Sequence, residues 1–151
     1  MKTKDAIRSL GAAMGLPGLA LDAENTCNLM IDDRQEVYLS GDPEGSVLRL
    51  NAVLGDLAEL RVDPTKMLEV NYTAAESGGG ALSVNRQTRE VVYVRTLDLT
   101  GHDERSVTKA LESFIGYAAF WLENLGDLTA PDTAALRGPA VSAETETIIR
   151  V

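Results

Sequence analysis

Apolar and polar residues alternate along one continuous segment of the chain. The alternation runs from Cys27 to Val53 and is interrupted by two polar segments, "DDRQ" at 32–35 and "GDPEG" at 41–45. A period of two is typical of half-buried strands, and short polar segments between such runs are typical of turns. The pattern predicts three strands that form an antiparallel sheet.

Three other segments repeat their apolar residues at helical spacing. The first is predicted to begin at a capping Thr3 and to end at "GLP" (15–17), and its apolar positions are Ile7, Leu10 and Met14. The second begins at Asp63, a capping carboxylate followed by proline at the first helical position. The third begins near Asp103 and ends at Gly126, and one apolar stripe follows its whole length. That stripe, predicted to be core, comprises Val107, Leu111, Phe114, Ile115, Ala118, Trp121, Leu122 and Leu125.

A second hairpin lies between the second and third helices. It comprises "ALSVN" (81–85), the turn "RQTR" (86–89) and "EVVYVRTLDL" (90–99). The predicted order is therefore α-β-β-β-α-β-β-α, an α+β fold with a twisted antiparallel sheet packed against helices. We expect one domain over residues 1–128 and a flexible tail over 129–151, which mixes Thr, Ala and Pro without a period.

Three consecutive glycines, Gly78 to Gly80, raise the possibility of a phosphate-binding loop. Such a loop follows a strand and opens a helix, because the helix N-terminus supplies oriented N–H groups. Here the order is helix, glycines, strand, and no Gly-Lys-Ser/Thr sequence is present. The glycines are therefore predicted to form a turn.

Charge and residue usage narrow the possible functions. The chain has 23 acidic and 14 basic residues and a net charge of -9, which disfavours binding to nucleic acid. Cys27 is predicted to be a small core residue, and the one histidine, His102, to help begin the last helix. No nucleophile motif and no cluster of metal ligands is present in the sequence, so we expect neither an enzyme nor a metal or cofactor site. No apolar run is long enough for a membrane span, so we expect a cytoplasmic protein without membrane insertion.

Several segments, in this order, carry a resemblance to a known family. They are "GLPGLALD" after the first helix, "CNLMIDD", "SVLRLNAVLG", "MLEVNY", "ALSVNRQTREVVYV" and "FWLENL". Over residues 3 to 126 the chain resembles the class I type III secretion chaperones, the Tir-chaperone-like family of small acidic bacterial dimers. The resemblance implies a bacterial, cytoplasmic homodimer that holds the N-terminal segment of a secreted effector in an extended form, without ATP.

The strands carry apolar residues on both faces, which is unusual for a monomer. Either the first helix or a dimer mate covers the second face, or that face is a groove for apolar anchors of an effector, helped by strand addition at a sheet edge. For the groove we expect residues from the strands and from the connection after the first helix. They are Leu16, Leu19, Leu21, Met30, Tyr38, Val47, Arg49 and Asn51.

The resemblance also implies that the second helix and its neighbouring strands lie at the two-fold axis of the dimer. The residues involved would be Met67, Val70, Asn71, Leu82 and Val84, although packing in the chain's own core explains them equally well.

Two other functions stay open. One is a small α+β ligand-binding domain or enzyme with a pocket under the long helix, for which Tyr93, Tyr117 and Asn124 are the candidates. The other is a cytoplasmic regulatory adapter with the same fold.

Overall fold

The computed structural model describes residues 1–73 and 77–129. The predicted order of helices and strands is confirmed, with one short helix added after the third strand. The elements are α1 (Thr3–Ala13), β1 (Thr26–Ile31), β2 (Gln35–Gly41), β3 (Val47–Asp56), α2 (Leu57–Leu60), α3 (Pro64–Tyr72), β4 (Ala81–Val84), β5 (Glu90–Asp98) and α4 (Glu104–Glu123), followed by a 3₁₀ turn (Leu125–Leu128).

The five strands form one sheet in the order β1-β2-β3-β5-β4, and every neighbouring pair is antiparallel. β1 and β4 are therefore the edge strands. The pairing of β3 with β5 shifts between Val53 and Gly55, which is a β-bulge near the end of β3.

The inner face of the sheet and the apolar faces of α1 and α4 form the core. Tyr93 of β5 stacks on Phe114 of α4 with ring centroids 5.2 Å apart. Buried Gln35 donates from its Nε2 to the carbonyl oxygen of Ala118 at 2.9 Å, which fastens β2 to α4. The stripe of α4 is core as predicted: its buried members are Val107, Leu111, Phe114, Ala118 and Trp121. Cys27 is also buried in this core.

The predicted starts of two helices are confirmed. The Asp63 carboxylate accepts a hydrogen bond from the N–H of Thr65, and Pro64 is the first residue of α3. Asp103 and Ser106 form a reciprocal capping box at the start of α4. His102 contributes at the same place, with its Nδ1 3.1 Å from the Ser106 hydroxyl.

The prediction that Thr3 caps α1 is wrong. Thr3 is the first helical residue, and Lys2 takes the cap position without a side-chain hydrogen bond. Thr3 instead attaches α1 to the β2–β3 turn, because its N–H donates to the Gly45 carbonyl oxygen at 2.9 Å. Its side chain also fills the space beside Gly41, where a Cβ would lie 3.1 Å from it.

The end of α4 also differs from the prediction. The helix ends at Glu123, and Gly126 lies within the 3₁₀ turn that follows. Asn124 ends the helix, since its side-chain Nδ2 donates to the carbonyl oxygen of Phe120 at 2.7 Å and its backbone leaves the helical conformation.

The short helix α2 has no counterpart in the prediction. Asp56 begins it by accepting hydrogen bonds from the N–H groups of Ala58 and Glu59, and Arg61 ends it in a left-handed conformation with φ 52°. Next to it, Val62 pairs with Thr129 in an isolated antiparallel bridge. Thr129 is the first residue of the predicted tail, and the rest of that tail, 130–151, lies outside the described residues.

The glycine triplet forms a turn, as predicted. Gly78 and Gly79 have φ of 65° and 78°, which glycine adopts without steric cost. The N–H of Gly80 donates to the Ser77 carbonyl oxygen at 3.2 Å, which closes the turn. The Tyr93 hydroxyl donates to the same carbonyl oxygen at 2.6 Å, so the turn is fixed to the core.

Candidate functional site

The face of the sheet that points away from the core is called here the outer sheet face. Residues opposite each other on antiparallel strands share a face, and Asn51 of β3 lies opposite both Tyr38 of β2 and Val94 of β5. Two large side chains on this face are open to solvent, since Met30 is 58% exposed and Tyr38 is 37% exposed. The expected second apolar face of the sheet is therefore present and partly uncovered.

Five of the eight residues predicted for effector binding lie together on the outer sheet face. They come from β1, β2 and β3 and are Met30, Tyr38, Val47, Arg49 and Asn51.

The other three predicted residues lie in the connection between α1 and β1. The N–H of Leu16 donates to the carbonyl oxygen of Gly11 at 2.7 Å, and a Cβ at Gly11 would lie 2.9 Å from the Cβ of Leu19. Leu19 and Leu21 pack against the core, whereas Leu16 is 43% exposed. The structure thus places Leu16 and Leu19 beside α1 and packs Leu21 against the core, so the three leucines do not join the residues of the outer sheet face.

A hollow of about 300 Å³ lies on the outer sheet face next to the bulge of β3. We call it the outer-face hollow; its lining residues are Tyr38, Asn51, Val53, Asn85, Thr88, Glu90 and Val92. Only Tyr38 and Asn51 were among the residues predicted for binding. Val53 and Val92 are opposite each other in the sheet, while Asn85 and Thr88 belong to the β4–β5 turn.

The polar side chains that line the outer-face hollow are Tyr38, Asn51, Asn85, Thr88 and Glu90. The Tyr38 hydroxyl donates a short hydrogen bond to the Glu36 carboxylate, and this bond, burial and the charges of Glu36 and Glu90 together raise the pKa of Tyr38. The Oδ1 atom of Asn51 is buried and has no hydrogen-bond partner among the described residues. A buried acceptor without a donor is costly, so a bound donor towards which the Asn51 side chain turned would offset that cost.

The two edges of the sheet differ. On β4, the Asn71 side chain donates from Nδ2 to the Leu82 carbonyl oxygen and accepts from the Leu82 N–H, both at 2.8 Å. α3 therefore covers that edge. On β1, the Thr26 N–H donates to the Asp22 carboxylate at 2.8 Å, but the outer edge from Asn28 to Met30 has no partner among the described residues. The edge of β1 is open to another strand.

The residues predicted for the dimer contact face the core of their own chain. Met67 and Leu82 are buried, Val70 and Val84 pack partly buried against the core, and Asn71 binds the backbone of β4. Their role in a dimer contact stays a prediction.

The exposed apolar residues of α3 were not among the predicted ones. They are Leu68 and Tyr72, which are 69% and 90% exposed and lie four residues apart on one face of the helix. Every position from Met67 to Tyr72 except Glu69 and Asn71 is apolar, so the sequence pattern does not separate the two faces of α3.

The three candidates for a ligand pocket under α4 do not converge. Tyr93 is fully buried and stacked on Phe114, while Tyr117 packs against Gly78. Asn124 ends α4. Each side chain is engaged in the packing or capping of the fold.

Two further findings concern metals and membranes. Among residues 1–73 and 77–129, no group of three or more His, Cys, Asp or Glu side chains is arranged to hold a metal ion. None of the described helices combines the length and the apolar character that crossing a membrane requires.

Burial, followed by the nearby charge of Asp22, raises the pKa of the Cys27 thiol.

Comparison with known proteins identifies similar sequences and folds. Residues 5–122 match the model of the Tir chaperone protein (CesT) family. No curated protein sequence matches the chain significantly.

Three solved complexes contain a chain with a similar fold. A chain of the ExsC–ExsE complex is 18% identical with a TM-score of 0.67, and the match covers 83% of this chain and 97% of that one. A chain of the HopA1–SchA chaperone–effector complex is 16% identical with a TM-score of 0.65, covering 80% and 92%. In the Yersinia pestis complex of the type III secretion chaperone SycH with a fragment of YscM2, the matching chain is 15% identical with a TM-score of 0.60, covering 78% and 98%. At identities this low, the similarity establishes that the chain shares the fold of these structures.

Proposed function

The chain belongs to the Tir chaperone protein (CesT) family, and from this we propose that it is a type III secretion chaperone that binds the N-terminal segment of a secreted effector. The family membership confirms the resemblance to class I type III secretion chaperones. In our proposal the chain works in the bacterial cytoplasm and catalyses no reaction. It keeps the bound segment extended, soluble and ready for secretion without using ATP.

The observation that carries the proposal is the partly uncovered outer sheet face. Met30 at 58% and Tyr38 at 37% exposure offer apolar contact area that the described part of the chain leaves to solvent. Exposed apolar side chains grouped on one face mark sites of protein binding. An extended effector segment could place every second side chain on this face.

The open edge of β1 supports the same proposal. Because α3 and Asn71 cover the β4 edge, β1 is the edge at which an effector strand can add to the sheet. Main-chain hydrogen bonds along β1 would supply affinity, and side chains such as Met30 would supply selectivity.

We further propose that the chain forms a homodimer through the outer face of α3. The predicted residues Met67, Val70, Asn71, Leu82 and Val84 would support this face from behind, while Leu68 and Tyr72 make the contact. Both are apolar, exposed and four residues apart, so two copies of the helix could bury them against each other.

Light scattering coupled to size exclusion tests the dimer. We expect twice the chain mass of 16.2 kDa for the natural sequence. The double variant Leu68→Asp, Tyr72→Asp should have the chain mass, whereas Ala119→Asp, which places a charge at an exposed position of α4, should stay dimeric. A natural chain at 16.2 kDa at micromolar concentration would contradict the proposal.

Affinity capture from the native cells tests effector binding. The natural chain, Met30→Asp and the control Glu112→Gln on the exposed side of α4 are used side by side, and captured proteins are then shortened to their N-terminal segments. Losing an apolar anchor costs about 1–4 kcal/mol, so we expect Met30→Asp to bind the purified segment roughly five- to thousandfold more weakly.

The result of this capture also separates the alternatives. Equal binding by Met30→Asp and the natural chain would place the effector site elsewhere. Capture of a partner that is not secreted would favour the regulatory adapter.

A further inference from the structure

We propose that the outer-face hollow is a subsite for a basic side chain of the bound segment, arginine in preference to lysine. This inference rests on the proposed function and deepens it, because it gives the effector segment a chemical requirement beyond its apolar anchors. The hollow measures about 300 Å³. That volume lies at the small end of ligand pockets, which span roughly 300–1,000 Å³, and it suits one side chain.

The first argument is a buried hydrogen-bond acceptor that lacks a donor. Oδ1 of Asn51 is buried in the middle of the outer sheet face and receives no hydrogen bond from the described residues. This carbonyl oxygen would gain a partner if the Asn51 side chain turned towards a donor that enters the hollow. Arginine and lysine side chains carry only donors.

The second argument is charge. Glu90 lines the hollow, and the Glu36 carboxylate beside it already accepts the Tyr38 hydroxyl. Within the described residues, the single ion pair shorter than 4 Å joins Arg8 to Asp5 on α1. Glu36 and Glu90 are therefore without a cation of their own in that part of the chain.

The basic residues closest in the sheet do not fill this role. Arg49 lies on the outer sheet face opposite Ser40 and Thr96. Arg86 and Arg89 lie in the exposed β4–β5 turn. The lining of the hollow includes none of the three.

The third argument is the shape of the walls, which favours arginine. Val53 and Val92 give an apolar surface for the methylene stem, and the Tyr38 ring gives a flat surface on which a guanidinium can stack. A planar guanidinium presents five donors in a fixed fork and stacks on aromatic rings, whereas an ammonium is a point charge.

The test uses the full ¹⁵N-labelled chain and a defined probe peptide, Ac-SVSRSVS-NH₂, followed by NMR titration. The matched control peptide has citrulline in place of arginine, which keeps the shape and removes the charge. We expect the arginine peptide to shift the Asn51 side-chain amide and the backbone signals of Val53 and Val92. Losing one charge-assisted hydrogen bond costs about 1.5 kcal/mol, so the citrulline peptide should bind about tenfold more weakly.

Variants of the chain complete the test. Asn51→Leu and Glu90→Gln should weaken the arginine peptide, while Glu112→Gln, with the same change of net charge on α4, should not. Equal binding of the two peptides, shifts outside the hollow, or an equal effect of Glu112→Gln and Glu90→Gln would each overturn the proposal.

Two other occupants would be visible in the same spectra without peptide. If Arg150→Gln shifted the Asn51 signals, the hollow would belong to the chain's own C-terminal residues. If dilution shifted them, it would belong to a second copy of the chain. Either result would overturn the proposal. Neither would affect the proposed chaperone function, which is tested separately by comparing capture by the natural chain, by Met30→Asp and by the control Glu112→Gln.

Discussion

Asn71 connects α3 to the edge of the sheet, and replacing it by alanine separates two roles for this residue. In the structure its side chain donates to the Leu82 carbonyl oxygen and accepts from the Leu82 N–H, both at 2.8 Å. The sequence also allowed Asn71 to lie in a dimer contact. The first role predicts a loss of stability within each chain, and the second predicts a change of assembly.

The two hydrogen bonds set the size of the expected effect. A typical intramolecular hydrogen bond contributes about 0.5–1.5 kcal/mol net, so the loss of both should lower the free energy of unfolding by about 1–3 kcal/mol. The site is partly buried, so water can replace some of the lost bonding and the upper end of this range is a limit.

Urea unfolding followed by circular dichroism measures this free energy, and light scattering measures the mass of the same samples. Asn28→Ala is the matched control, because Asn28 is exposed on β1 and should change the stability by less than about 0.5 kcal/mol. If Asn71→Ala were as stable as that control, the connection between α3 and β4 would not stabilise the fold. If it instead lowered the mass without lowering the stability of the chain, Asn71 would act in the dimer.

The remaining predictions concern the sheet faces, the glycine turn and acid. Met30→Asp should change the free energy of unfolding by less than about 0.5 kcal/mol because Met30 is exposed, whereas Leu29→Asp should unfold the chain because Leu29 is buried. Circular dichroism distinguishes the folded variant from the unfolded one. If Met30→Asp were unfolded, the outer sheet face would be part of the core. Gly79→Ala should cost about 1 kcal/mol for its positive φ, and Gly78→Ala should cost more because the added Cβ would overlap the Tyr117 ring; equal losses in urea unfolding would contradict this steric argument. Hydrogen bonds hold the pKa values of four aspartates below the ordinary 3.8, and these residues are Asp22, Asp42, Asp98 and Asp103. Their contribution to stability is therefore fully present above pH 3.8 and is lost as the pH falls through the lowered pKa values. Urea unfolding between pH 5 and 2 should show this loss, and a constant free energy of unfolding over that range would contradict it.

The order of helices and strands could be predicted because each depends on local pattern. The period of two gives the strands, and the carboxylates Asp63 and Asp103 start their helices through hydrogen bonds to residues two or three positions away. The failure at Thr3 has a different origin. Thr3 is held by contacts with the β2–β3 turn, which lies about forty residues further along the chain, and helical spacing in the sequence does not contain that information.

The residues of the outer sheet face were predicted in part for the same reason. Alternation correctly separated Met30, Tyr38 and Asn51 from the core residues between them, because side chains on a strand point to opposite faces. The connection with Leu16, Leu19 and Leu21 has no such period. Its position beside α1 follows from a close contact at Gly11, where a Cβ would lie 2.6 Å from the Leu16 carbonyl oxygen.

The outer-face hollow could not be predicted from the sequence, because its walls come from segments that are distant along the chain. The bulge of β3 shifts its pairing with β5 between Val53 and Gly55, and the β4–β5 turn then contributes Asn85 and Thr88 to the rim.

The face of α3 is a second case in which pattern alone is insufficient. Met67 and Leu68 are adjacent apolar residues, yet one is buried and the other is 69% exposed. Asn71 contributes to which side faces inwards, because its two hydrogen bonds to Leu82 hold the helix against β4 while Met67 is buried in the core. This orientation points Leu68 and Tyr72 to solvent, where our proposal places a second copy of the chain. A substitution at Asn71 that let α3 rotate would therefore change both the stability of the chain and the surface that it offers to a partner.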